Sequence, residues 1–182
     1  MIIKMITCLI IVTMLLLGGC VRPAPASDTT PPEIVVFVSR ARGRNYFRSI
    51  DGVQKPPDNC IIVREMPTQL ILIAGDSGGL QSAGIRGLSG TIAPDSVSVT
   101  PPAPEGAFSV TREASGADRL DITLTPPSAT TVRTGVTATL EVNGALPMAI
   151  FAWARDRAGH YIELPQFDLR GPETGSICRG SN

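Results

Sequence analysis

The residues that could support nucleophilic catalysis in this chain are Ser77, within the Gly-rich run GDSGG, and His160, the single histidine. A serine nucleophile needs a histidine base and a carboxylate that orients that base. His160 follows Ser77 by 83 residues and ends the run DRAGH, whose Asp and Gly are typical of a hairpin turn. We therefore expect Ser77 to lie in a flexible loop, and we predict that the protein is not an enzyme.

Patterns typical of metal and phosphate sites are absent from the sequence. The chain has one histidine, no cysteine pair at ligand spacing and no D-x-D-x-D-G run. Residues 75–90 contain no lysine, so they do not form the phosphate-binding pattern G-x-x-x-x-G-K. Asp156 could join a calcium site, but a carboxylate that caps a turn is the simpler interpretation. The sequence predicts no metal site and no cofactor.

Arginines and aromatic residues cluster in the run RARGRNYFR. Its members are Arg40, Arg42, Arg44, Tyr46, Phe47 and Arg48. Interleaved guanidinium and aromatic groups could bind phosphates, lipid A, glycans or nucleic acid. The whole chain carries 16 basic and 16 acidic side chains, which argues against a nucleic-acid partner. We expect a solvated loop, with contact to a partner or an anionic surface as the alternative.

Residues 1–19 have the features of an export signal. Lys4 precedes an uncharged run over residues 5–17, which is shorter than the ~20 residues that cross a membrane and suits the apolar core of a signal peptide. The run ends in Leu17-Gly18-Gly19-Cys20. This ending resembles the lipobox of bacterial lipoproteins, in which the cysteine is acylated and becomes the N-terminus. The resemblance implies a membrane anchor at Cys20. Residue 21 is Val rather than the Asp that retains lipoproteins in the inner membrane in the family's sorting pattern. In a Gram-negative envelope, the resemblance therefore implies the outer membrane.

The other cysteines predict one disulfide. Cys8 leaves with the signal and Cys20 carries the lipid, so Cys60 and Cys178 remain. An exported chain meets an oxidising compartment, where an even pair of cysteines favours a disulfide. A catalytic thiol is the weaker alternative, because no histidine motif accompanies either cysteine.

Residues 20–32 are expected to form a tether between the lipid and the folded domain. The run VRPAPASDTTPP has four prolines and no apolar periodicity. In polyproline conformation, at ~3.1 Å per residue, it would reach about 35 Å.

Residues 33–182 are predicted to form one all-β domain, an antiparallel sandwich. Short runs rich in β-branched residues or with alternating polarity are separated by Pro and Gly, and helix interiors reject the scattered prolines. The predicted strands are 33–40, 60–65, 69–74, 96–100, 107–112, 119–125, 136–143, 148–155 and 160–164.

Both ends of this region resemble the immunoglobulin-like modules of bacterial surface proteins. Residues 28–34 read DTTPPEI and look like the D-T-T-x-P opening of such modules. Residues 151–160 read FAWARDRAGH and look like V-x-A-x-D-x-A-G-N, with His160 in place of Asn. The resemblance implies an immunoglobulin-like sandwich, with loop insertions at 41–59 and 75–94 and with Trp153 as a buried core aromatic.

The resemblance implies no shared activity, because this fold carries binding, adhesion and spacing roles without a common site. We expect a structural or protein-interaction module at the bacterial envelope. The alternative is an accessory ligand- or glycan-binding lipoprotein of a secretion or cell-wall assembly.

Overall fold

The computed structural model describes residues 28–42, 46–50, 53–54, 60–88, 90–102, 105–126 and 131–172. The predicted signal, Cys20, Arg44, Cys178 and most of the predicted tether lie outside these ranges. Within them, no helix has the length and apolar character needed to cross a membrane.

Fifteen strands and one short 3-10 turn account for the regular structure of the described residues. The strands are β1 (Glu33–Val38), β2 (Ala41–Arg42), β3 (Tyr46–Ile50), β4 (Val53–Gln54), β5 (Cys60–Val63), β6 (Thr68–Gly75), β7 (Leu80–Leu88), β8 (Thr91–Ile92), β9 (Ser98–Thr100), β10 (Phe108–Arg112), β11 (Asp118–Thr123), β12 (Gly135–Asn143), β13 (Met148–Asp156), β14 (Tyr161–Glu163) and β15 (Phe167–Arg170). The 3-10 turn spans Pro94–Ser96.

These strands form two sheets. The first has the order β4-β3-β1-β6-β12-β8, with β9 also paired to β12. The second has the order β10-β11-β7-β13-β15-β5-β2, with β14 also paired to β13. The pairs are antiparallel except β15 with β5, which run parallel. The predicted all-β sandwich is confirmed.

The core lies between the sheets and follows from the period of two along each strand. In β12, Val136, Ala138, Leu140 and Val142 are at most 3% exposed, whereas the alternate residues are more exposed. The same alternation supplies the other inward-facing residues, among them Ile34, Val36, Val38, Leu70, Leu72, Ala83, Ile85, Leu120, Ile122, Ile150, Ala152, Ala154, Phe167 and Leu169.

The nine predicted strands all correspond to observed ones, but the two predicted loop insertions are wrong. Residues 41–59 contain β2, β3 and β4, and residues 75–94 contain β7 and β8. β7 is a nine-residue strand between β11 and β13, near the middle of the second sheet. Its sequence, LQSAGIRGL, is rich in small and polar residues. Rings of β13 occupy the space beside Gly84 and Gly87. A Cβ at Gly84 would lie 2.7 Å from Nε1 of Trp153.

Trp153 is buried, but on the outer face of the second sheet rather than between the sheets. Its strand neighbours Ala152 and Ala154 belong to the core cluster, and Trp153 does not. The indole is 9% exposed because it lies against Gly84 and under Tyr161. The expectation of a core aromatic is therefore corrected: the ring covers the sheet from outside.

Candidate functional site

Three carboxyl groups from separate parts of the sequence meet at one end of the sandwich. Asp28 precedes β1, Asp76 follows β6 and Asp156 ends β13. Each offers an oxygen within 4.8 Å of the others. We call Asp28, Asp76, Asp156 and the neighbouring His160 the acidic junction.

Asp76 is positioned by the turn between β6 and β7. Its Oδ1 accepts hydrogen bonds from the N–H groups of Gly78 at 2.8 Å and Gly79 at 2.9 Å. The side chain is 8% exposed. Gly79 adopts φ +116°, a region open to glycine, so the GDSGG run folds as a turn around its own carboxylate.

Asp156 caps the turn between β13 and β14. Its Oδ1 accepts the N–H of His160 at 2.8 Å, and its Oδ2 lies 2.6 Å from Nδ1 of the same histidine. Gly159, at φ +100°, closes the turn. Asp156 is fully buried and His160 is half-buried. The predicted turn-capping role of Asp156 is thus confirmed.

Asp28 brings the start of the domain to this end of the sandwich. Its Oδ1 accepts hydrogen bonds from the hydroxyl and the N–H of Thr30 at 2.8 and 3.1 Å. Its Oδ2 is buried and, among the described residues, accepts no hydrogen bond from an N–H group or a hydroxyl. This oxygen lies against Gly78, where any side chain would collide with it. The second glycine of GDSGG therefore makes room for the first residue of DTTPP.

Within the acidic junction, it is unfavourable for Asp28 and Asp76 to be ionised at the same time. Burial and then the negative charge of Asp28 raise the pKa of Asp76 above its ordinary value. The hydrogen bonds from Thr30 lower the pKa of Asp28. The two carboxyl groups lie within hydrogen-bonding reach of each other, so the proton of the pair resides preferentially on Asp76.

This arrangement can perform two kinds of chemistry. A proton held between Asp28 and Asp76 relieves their repulsion. Carboxylate oxygens are also the ligands that hard cations such as Ca²⁺ take, and Asp28, Asp76 and Asp156 are the described residues that could hold one.

Ser77 and His160 approach the same end of the sandwich without a described hydrogen bond between them. The His160 ring is engaged with Asp156, and Ser77 is exposed in the turn that Asp76 organises. The Gly-rich loop expected at Ser77 is a tight turn between β6 and β7.

The arginine cluster does not form a single loop. Strand β2 pairs with β5 in the second sheet, and β3 pairs with β1 in the first, so the run RARGRNYFR crosses from one sheet to the other. Arg40, at φ 56°, donates to the carbonyl of Pro67 at 3.2 Å and pairs with Glu65 at 3.2 Å.

The other members of the cluster differ in what they contact. Tyr46 is 43% exposed and its ring lies 5.8 Å from that of Phe37. Arg48 is exposed. Arg42 and Phe47 lie on described strands, but their side chains and all of Arg44 fall outside the description. The expectation of a solvated loop is therefore corrected: the run connects strands of the two sheets and exposes the Tyr46 ring and Arg48.

A column of stacked cations and rings covers the outer face of the second sheet. The guanidinium of Arg119 lies 6.0 Å from the centre of the Trp153 ring, and the Trp153 and Tyr161 rings stack at 6.1 Å. Arg155 lies over the other aromatic, 5.7 Å from the Tyr161 centroid. Such contacts contribute about 0.5–1 kcal/mol each at exposed sites.

Glu163 connects this column to β7 through hydrogen bonds with Tyr161 and Arg86. It accepts hydrogen bonds from Arg86 at 2.7 and 2.8 Å and from the Tyr161 hydroxyl at 2.5 Å. Burial alone would raise the pKa of Glu163, but the bonds from Tyr161 and Arg86 outweigh it and lower that pKa. Burial and the bond to Glu163 raise the pKa of Tyr161.

Cys60 is half-buried at the start of β5. Cys178 and Cys20 lie outside the described residues, so the pairing of Cys60 with Cys178 and the lipidation of Cys20 stay predictions.

No protein-family model matches this chain, and comparison with curated proteins yields no match either. The acidic junction is therefore defined by its geometry alone. The sequence patterns did not predict this convergence, because they placed DTTPP at the opening of the domain, GDSGG in a flexible loop and DRAGH in a hairpin turn. The signal was an Asp in each of three turn motifs, placed before the first strand and after two others.

Proposed function

We propose that this protein is a lipid-anchored bacterial envelope lipoprotein whose β-sandwich serves as a structural or protein-interaction module. The observation that carries the proposal is the run Leu17-Gly18-Gly19-Cys20 behind an uncharged segment of signal-peptide length. A lipidated N-terminus gives the domain its location, since two acyl chains anchor stably where one does not.

The acidic junction refines how such an anchor would hold the domain. Asp28 contacts the turn of GDSGG, so the chain joins the sandwich at residue 28 rather than at residue 33. A polyproline segment from Cys20 to Asp28 would reach roughly 25 Å at ~3.1 Å per residue. The sandwich would then lie closer to the membrane than the full 20–32 tether would allow.

The anchor is tested by processing and labelling in cells. Globomycin should cause the unprocessed precursor to accumulate, and palmitate should label the wild type but not Cys20→Ala. The matched control is Cys8→Ala, which removes a cysteine of the signal and should leave labelling intact. Labelling of Cys20→Ala, or processing that globomycin does not affect, would contradict the proposal.

We include the Cys60–Cys178 disulfide in this proposal. It is supported by the predicted oxidising compartment, in which an even pair of cysteines favours a disulfide. Maleimide labelling of the mature protein under denaturing, non-reducing conditions should find neither cysteine reactive. Two reactive thiols would contradict the pairing.

The alternative function, an accessory ligand- or glycan-binding lipoprotein, is favoured by the exposed ring of Tyr46 beside the exposed Arg48. Arg42→Ser/Arg48→Ser should then abolish co-purification of an envelope partner or glycan without changing the thermal midpoint. Arg40 is left intact because it bonds Pro67. The control Arg155→Ser/Arg157→Ser removes the same charge from β13 and its turn and should retain the partner. Equal retention by both variants would exclude this alternative.

A further inference from the structure

The edges of the two sheets differ in a way that points to an interaction surface. The first sheet ends in β4 and in β8 and β9, and the second ends at one side in β2; these strands have two or three residues. Very short edge strands are a common protection against pairing with another chain. The other end of the second sheet is β10, which has five residues.

Strand β10 has few of the features that protect an edge. Its sequence is FSVTR, without proline, and its only charge is at the last position. Phe108 is 37% exposed. Within the described ranges, no strand pairs with the side of β10 that faces away from β11.

The register identifies which backbone groups of β10 face outward. Phe108 lies opposite Ile122, and Ala107 accepts a hydrogen bond from the N–H of Thr123 at 2.6 Å. In an antiparallel ladder the bonded pairs alternate, so the N–H and C=O groups of Ser109 and Thr111 face β11. Those of Phe108, Val110 and Arg112 consequently face away from the sheet.

We propose that β10 is a self-association edge that pairs antiparallel with β10 of a second copy of this chain, about a two-fold axis at Val110. This register places Val110 opposite its own symmetry mate and Phe108 opposite Arg112 of the second copy. The three outward-facing residues of each copy then exchange six backbone hydrogen bonds. A two-fold contact requires a surface that is complementary to itself.

The charges and side chains of β10 favour a second copy over an unrelated strand. Arg112 meets an aromatic ring rather than another arginine, and its charge is already paired with Asp118 at 3.1 Å. Ser109 lies opposite Thr111 of the second copy on the outer face, where two hydroxyls can bond. No like charges oppose each other within the paired strands. The small contact predicts a weak, reversible dimer, and the inference does not depend on the lipid anchor.

The test is sedimentation equilibrium of the full protein in a density-matched detergent, compared with Val110→Pro and Val110→Thr. Proline removes an outward N–H that β11 does not use, and edge strands tolerate it at such positions. The wild type and Val110→Thr should dimerise. Val110→Pro should raise the dissociation constant at least about tenfold, since each copy loses a hydrogen-bond donor, with an unchanged circular dichroism spectrum.

If Val110→Pro unfolds, a second pair of variants tests whether β10 pairs with β10 of a second copy. Phe108→Arg brings arginines of the two copies opposite each other and should weaken the dimer, whereas Phe108→Tyr should retain it. A wild-type protein that remains monomeric up to about 200 µM would overturn the proposal. That result would overturn it even if β10 pairs with a strand of another protein. Equal dimerisation by Phe108→Arg and Phe108→Tyr would overturn it as well.

Discussion

Asp76→Asn should stabilise the protein at neutral pH, although it alters a buried, hydrogen-bonded side chain. The asparagine Oδ1 can still accept the N–H groups of Gly78 and Gly79, which bond Oδ1 of the aspartate. Its amide NH₂ can donate to Oδ2 of Asp28, which accepts no hydrogen bond from an N–H group or a hydroxyl of the described residues. The substitution therefore keeps the turn, removes a negative charge beside Asp28 and Asp156, and supplies a permanent donor.

The sign of the pH dependence follows from the raised pKa of Asp76. The folded state holds this proton more tightly than the unfolded state, so the stability it contributes is present at low pH and is lost as pH rises through the folded pKa. Asparagine behaves as the protonated form at every pH. The gain should be largest near pH 7.5 and should vanish below the ordinary aspartate pKa of 3.8.

The magnitude is about 1 kcal/mol, the net contribution of one hydrogen bond. In a domain of this size that corresponds to a rise of roughly 2–4 °C in the thermal midpoint. The assay is urea unfolding with a chelator present, at pH 7.5 and pH 3.5. Asp95→Asn, at an exposed carboxylate, should change the free energy of unfolding by less than about 0.5 kcal/mol.

Asp76→Ala separates turn capping from charge. It also removes the acceptor of two N–H groups and should destabilise the protein by about 1–3 kcal/mol. If Asp76→Asn destabilises the protein as much as Asp76→Ala does, or by the same amount at both pH values, the electrostatic reasoning about the acidic junction is refuted.

Three further substitutions test the packing, each measured as the free energy of unfolding. Gly84→Ala should cost about 1–3 kcal/mol, since its Cβ would lie 2.7 Å from Trp153; an unchanged stability would contradict the outer-face packing. Glu163→Gln removes the ion pair with Arg86 and should cost up to about 1 kcal/mol at pH 7; the cost is small because both partners are partly exposed to solvent. The difference in stability should fade as the pH drops below 4.5, the ordinary pKa of glutamate. A cost that persists in acid would show that ionisation is not the cause. Leu140→Ala should cost about 2–5 kcal/mol at a fully buried site, and a cost below 1 kcal/mol would place Leu140 outside the core.

Much of the fold could be predicted from alternation. In β12 one face is apolar throughout, so its inward residues could be read directly from the sequence. In β11 the alternation identifies Leu120 and Ile122 as inward-facing, although the buried face also includes Asp118. β7 could not be identified in this way. Its Gly84 and Gly87 provide space for the rings of Trp153 and Phe151 in β13. The reason for these glycines is therefore visible only once β7 is known to lie beside β13.

The acidic junction shows a second limit of sequence patterns. The hairpin turn at Asp156 was predictable locally, because Asp and Gly are the residues that such turns use. Asp28, Asp76 and Asp156 are separated by 48 and 80 residues, and only the order of strands in the two sheets brings them together. The arginine crossover was mispredicted for a related reason, since the pairing of β2 and β3 with different sheets is not encoded in their own composition.

The central claim is that Cys20 is the lipidated N-terminus of an envelope lipoprotein. Mass spectrometry of the N-terminal peptide, released from protein extracted from membranes, measures this directly. We expect a peptide that begins at Cys20 and carries the mass of two or three acyl chains. A peptide that begins at Met1, or one that begins at Cys20 with a free amine and an unmodified thiol, would contradict it.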